Sequence, residues 1–101
     1  MIAGLTQKEE KIVRSILSKY PDYSFFYYGS RVKGNFWKGS DLDVLIRGKT
    51  AIPPDTLEKL KDEFDNSDLS FIVNFVDFYD IDESFYQRIQ KDLVPYIEED
   101  K

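Results

Sequence analysis

Two strand-like runs close together limit what this chain can fold into more than any other feature. Residues 23–28 (YSFFYY) and 41–47 (DLDVLIR) are short and rich in aromatic or aliphatic side chains. Such runs read as buried strands. Between them the chain has room for a turn at Gly29-Ser30, one short helical segment and a loop over residues 35–39. A third run, residues 69–78 (LSFIVNFVDF), predicts a longer strand.

Helical patterns separate these strands. Thr6 and Glu9 have the spacing of a capping box, and Ile12, Val13, Ile16, Leu17 and Tyr20 come next at helical intervals toward Pro21. Residues 55–58 offer a second capping pattern for a helix whose apolar face carries Leu57, Leu60 and Phe64, and Asp65-Asn66-Ser67 breaks it. Pro53-Pro54 is read as excluding regular structure from the connection before it. Asp82 predicts the cap of a last helix carrying Phe85, Tyr86 and Ile89, with Pro95 blocking its extension. Residues 94–97 are read as a short edge strand and the charged tail as frayed. The order predicts one small α+β (or α/β) domain over residues 1–101.

Composition narrows the chemistry. The chain contains neither cysteine nor histidine. Disulfides, thiolate zinc sites and the commonest general base are therefore excluded. Any metal must be held by oxygen ligands, which favours magnesium, manganese or calcium. A net charge of −5 argues against general binding along a nucleic-acid backbone. The start lacks a signal-peptide pattern and no apolar run reaches a membrane span, so a cytoplasmic protein that does not enter the membrane is expected.

On a strand, Asp41 and Asp43 point to the same face, with backbone positions roughly 6.5–7 Å apart. Two like charges so placed destabilise a strand unless a cation arrives. Gly29-Ser30 supplies a complementary element, because glycine permits close backbone approach and a helix start presents free N–H groups to an anion. Arg31, Lys33 and Lys38 add positive charge beside the same loop. A phosphate cradle leading into a metal-binding pair suits a nucleoside triphosphate with magnesium. Gly29 and Gly34 also have P-loop spacing, but Asn35-Phe36 stand where Lys-Ser/Thr is required, so that reading fails. Trp37 is read as packed over the loop rather than stacked on a base.

The residues Gly29-Ser30-Arg31-Val32-Lys33-Gly34 and Ser40-Asp41-Leu42-Asp43, with ten residues between Ser30 and Asp41, resemble the signature of minimal nucleotidyltransferases in the DNA polymerase β-like superfamily. The resemblance implies a small mixed β-sheet with helices mainly on one face. It implies transfer of a nucleoside monophosphate, AMP from ATP, onto a partner's hydroxyl. Two Mg²⁺ ions would lie on Asp41 and Asp43, and Gly29, Ser30, Arg31, Lys33 and Ser40 would surround the nucleotide. It further implies an antitoxin role beside a helical HEPN-type partner in a hetero-oligomer, with Tyr27, Phe36 or Trp37 as candidate interface aromatics.

One departure bears on activity. The family's third carboxylate aligns with Asn74, which offers a carbonyl oxygen but neither charge nor a proton-accepting group. Asp77 lies three residues on and faces the opposite side of a regular strand, so it is read as a strand-end carboxylate unless a bulge intervenes. The alternative function is a nucleotide-binding module that neutralises its partner by contact alone.

Overall fold

The computed structural model describes residues 4–96. Helix α1 (Gln7–Leu17) begins with the expected capping box. The Glu9 N–H donates to Thr6 Oγ1 at 3.1 Å and the Thr6 N–H to Glu9 Oε1 at 3.0 Å. Strand β1 (Ser24–Tyr28), a one-turn helix α2 (Ser30–Lys33) and strand β2 (Leu42–Arg47) come next. Helix α3 (Pro54–Asp65), strand β3 (Val73–Asp77), helix α4 (Glu83–Ile89), a 3₁₀ turn (Gln90–Asp92) and the two-residue strand β4 (Val94–Pro95) complete the order.

The strands form one mixed sheet in the order β3-β2-β1-β4. β1 runs antiparallel to β2 and β4, whereas β2 and β3 are parallel, joined through α3. Alternation along each strand sorts the side chains. Phe25 and Tyr27 of β1, with Leu42, Val44 and Ile46 of β2, pack under α1 and α3 against Val13, Ile16, Leu17, Leu60 and Phe64. Phe26, Tyr28, Leu45 and Val76 face the other way, onto Phe85 and Ile89 of α4. The two long helices thus share one face, as expected, and the shorter α4 covers part of the other.

Three local expectations change. Pro53 and Pro54 do not exclude regular structure. Pro53 is the N-cap and Pro54 opens α3, where a missing N–H costs nothing because the first helical donors lack intrahelical acceptors anyway. Asp55 accordingly sits in the first turn and no side chain caps this helix. β3 is half the expected length, because β2 offers it partners only from Leu42, paired with Val73. Before Val73 the chain leaves the ladder, with Phe71 against Arg31, Leu69 packed on the core and Ile72 exposed. Asp82 caps α4 as expected, accepting from the Phe85 N–H at 2.8 Å. The edge strand at residues 94–97 is present as β4, whose expected last residue lies, with the tail, outside the described residues.

Candidate active site

β1 delivers the chain to Gly29, whose φ of 88° and ψ of −159° suit a residue without a side chain. A Cβ there would also run into the Asp43 carboxylate. Glycine is therefore required twice, by backbone geometry and by the close approach of β2. The Gly29 carbonyl accepts from the Val32 and Lys33 N–H groups at 3.1 and 3.0 Å, forming α2. The N–H groups of Ser30 and Arg31, in the first turn, have no intrahelical acceptor and point out of the helix start. Gly34, at φ 92°, ends the turn in the left-handed region.

Arg31 departs from its expected place beside a phosphate. It is 1% exposed, and its guanidinium donates to three backbone carbonyls: Gly4 at 2.8 Å, Lys38 at 2.9 Å and Ser40 at 3.0 Å. The Phe71 ring lies 4.2 Å from its central carbon, and Phe36 packs against it at 5.4 Å. The apolar stretch before β3 is used here: Phe71 lines the guanidinium instead of extending the strand. Ser40 also works within the loop, its Oγ accepting from the Trp37 N–H at 2.9 Å. Together Arg31 and Ser40 fix the backbone immediately before Asp41. Lys33 is exposed and pairs at 3.8 Å with Asp92, and Lys38 is exposed on the loop. Trp37 folds over Gly39 yet keeps 70% of its surface, while Tyr27 is buried and so drops out as an interface residue.

Asp41, Asp43 and Asn74 come together. Asn74 is the direct partner of Asp43 across the β2–β3 ladder. Its Nδ2 donates to Asp41 Oδ2 at 2.9 Å and to Asp43 Oδ1 at 3.3 Å. Asp43 is half-buried between Gly29 and Asn74. Burial pushes its carboxyl above the usual range, the Asn74 hydrogen bond opposes this, and the Asp41 charge adds to the rise. Asp77 is elsewhere, as the strand alternation requires. It is buried, with Oδ2 accepting from the Ile52 N–H at 2.8 Å and Oδ1 from the Tyr79 N–H at 3.1 Å. It anchors the approach to α3, away from the Asp41–Asp43 pair.

Tyr28, not singled out from the sequence, pairs with Asp43 on the other side, so Tyr28, Asp43 and Asn74 form one row across three strands. Burial, and then the Asp43 charge, push the Tyr28 phenol up to about 12. It therefore stays protonated near neutrality, and Phe85 of α4 holds its ring edge-to-face at 6.0 Å. The signal was its position directly before Gly29, which antiparallel pairing sets opposite the carboxylate of β2.

Asp41 and Asp43 offer hard oxygen donors and a half-buried negative charge, a set that fits a divalent ion such as magnesium. Among the described residues no group of three or more acidic, histidine or cysteine side chains is gathered for a metal. Two carboxylates and an amide stand where the resemblance implies three carboxylates. The site is an open ledge at the ends of the central strands. A groove of about 790 Å³ lies away from it, between α1 and α3, lined by residues such as Ile12, Lys19 and Glu63.

The chain is similar to known proteins in both sequence and fold. The family described as "Polymerase beta, Nucleotidyltransferase" matches residues 10–101. The "Probable protein adenylyltransferase MntA" of Haemophilus influenzae is 36% identical over 98 residues, covering 96% of this chain and 86% of that protein. A toxin–antitoxin structure with AMP-PNP superposes with a TM-score of 0.69 at 18% identity, over 85% of this chain and 70% of that one. A mutant MntA–HpeT toxin–antitoxin structure gives 0.68 at 18% identity, over 91% and 73%. At that identity the two structures share the fold, and the sequence match carries the kinship. The chain belongs to the polymerase β nucleotidyltransferase family, as one of its minimal nucleotidyltransferases.

Proposed function

We propose that this protein is a Mg²⁺-dependent adenylyltransferase that moves AMP from ATP onto a hydroxyl of a HEPN-type partner protein, acting as its antitoxin in the cytoplasm. The observation that carries the reading is the convergence of Asp41 and Asp43 on one side of the Gly29-Ser30 helix start. The adenylyltransferase named MntA and the toxin–antitoxin complexes, one with AMP-PNP, support the choice of nucleotide and of a toxin as partner.

In this reading the Ser30 hydroxyl and the N–H groups of the α2 start hold phosphate oxygens, with Lys33 and Lys38 supplying exposed positive charge. Asp41 and Asp43 hold the metal, which when bound neutralises charge at the α-phosphate and on the departing pyrophosphate. The acceptor oxygen bonds to the α-phosphorus while the bond to pyrophosphate breaks. Asn74 cannot take the released proton, which must pass to a carboxylate or to water. Loss of a positioned base slows such reactions by about 10²–10⁴.

Incubation with labelled ATP, Mg²⁺ and a HEPN-type partner protein tests the proposal. Label should appear on the partner and vanish with Asp41→Ala, and Asn74→Asp should raise the rate by at least about tenfold. The uncharged Asn74 favours a second reading, a binding module that neutralises its partner without transfer. No label, with neutralisation intact in Asp41→Ala, would establish that reading instead.

A further inference from the structure

We infer that Asn74 is a stand-in for the cation: its amide bridges Asp41 and Asp43 in the ion-free protein and must be displaced before a divalent ion can enter. The inference rests on the reading of these two carboxylates as metal ligands. Both neighbours of the amide are acceptors only, so the orientation that places Nδ2 toward them is chemically imposed. One N–H goes to each carboxylate. Each carboxylate thus has one oxygen, Asp41 Oδ2 and Asp43 Oδ1, committed to the amide and not free for an ion.

This changes how the site works at rest. Two carboxylates on neighbouring same-face positions of a strand repel, and a carboxylate at position 74 would add to that repulsion until an ion arrived. The amide removes the conflict, because its two hydrogen bonds to charged acceptors hold the pair in place without an ion. An entering ion must break them. A bare divalent ion gains only the two carboxylates in exchange. An ion accompanied by a triphosphate brings phosphate oxygens as well, which offset the lost bridge. Asn74 thereby couples cation uptake to nucleotide uptake, and the site discriminates against free metal.

Binding of Mn²⁺ to the full chain without nucleotide, tracked by the electron paramagnetic resonance of the free ion, tests this directly. Asn74→Ala removes the competitor and should bind Mn²⁺ at least about tenfold more tightly than the wild type, the lower end of the scale of a hydrogen bond to a charged group. Equal or weaker binding by Asn74→Ala overturns the inference, because the amide would then be a bystander or a ligand. Asp41→Ala, alone or combined with Asn74→Ala, should abolish binding. Mn²⁺ retained in the double variant would place the ion elsewhere and overturn the metal-site reading itself, a distinguishable result. Melting in EDTA supplies a readout independent of ion affinity. Asn74→Ala should melt below the wild type and regain the difference with Mn²⁺, whereas an unchanged melting temperature in EDTA also counts against the bridge.

Discussion

On the face of the sheet covered by α1 and α3, Val13, Leu42 and Leu60 are sealed from water, and the strands contribute mainly apolar side chains, with the buried Asp77 at the end of β3 as the charged exception. On the opposite face the apolar row under α4 stops short. Beyond Tyr28 and Leu45 the sheet continues as Asp43 and Asn74, open at the strand ends. One face is specified by complementary volume and burial, the other by which polar atoms meet. Stability and chemistry are thereby separated across a single layer of backbone about 10 Å from either packed layer, so changes on one side should leave the other largely intact.

The sharpest way to break this separation is Leu60→Ala. It empties a fully buried position of α3 and should cost about 2–5 kcal/mol of stability, read by denaturant unfolding. Transfer activity per folded molecule should stay within about twofold, since sites without shared partners behave additively. Gly29→Ala tests the boundary between the faces. It should cost about 1–3 kcal/mol for a positive-φ, extended-ψ backbone that essentially only glycine adopts. Because the new methyl group displaces the Asp43 carboxylate, it should also lower the transfer rate by about 10²-fold. If Gly29→Ala loses stability while keeping activity, the contact with Asp43 has no functional weight.

The smallest effect belongs to Glu63, which joins α1 to α3 by accepting from Lys19 Nζ at 2.8 Å and from the Tyr20 hydroxyl at 2.5 Å. The Lys19 bond, and then the Tyr20 bond, hold its carboxyl below the usual range. A lowered folded-state value contributes stability that is present above the ordinary carboxylate pKa and lost as pH falls through the folded value. Urea titrations of the wild type should therefore lose up to about 1 kcal/mol more than Glu63→Gln between pH 6 and pH 3.

Features carried by a few adjacent residues were legible from the sequence. The Thr6–Glu9 box and the Asp82 cap each depend on atoms three residues apart, and both occur as expected. The meeting of Asp41, Asp43 and Asn74 was legible because strand alternation and the family spacing agree on it. Pro54 was misread because proline ends a helix that precedes it but readily opens one that starts at it, and Leu57, Leu60 and Phe64 continue a helix here. Arg31 was misread for a different reason. Three carbonyls from separate stretches and the Phe71 ring decide its role, and no local pattern announces a contact of that range.

That guanidinium has a mechanical consequence. By gripping the carbonyls of Gly4, Lys38 and Ser40 at once, it rivets the stretch ahead of α1 to the hairpin that enters β2. The loop beside the carboxylates cannot swing as a free flap without tearing a buried charge from its acceptors. On the proposed reading, a nucleotide would be received on a backbone already fixed in place, and the exposed Lys33 and Lys38 side chains would be the parts left to adjust.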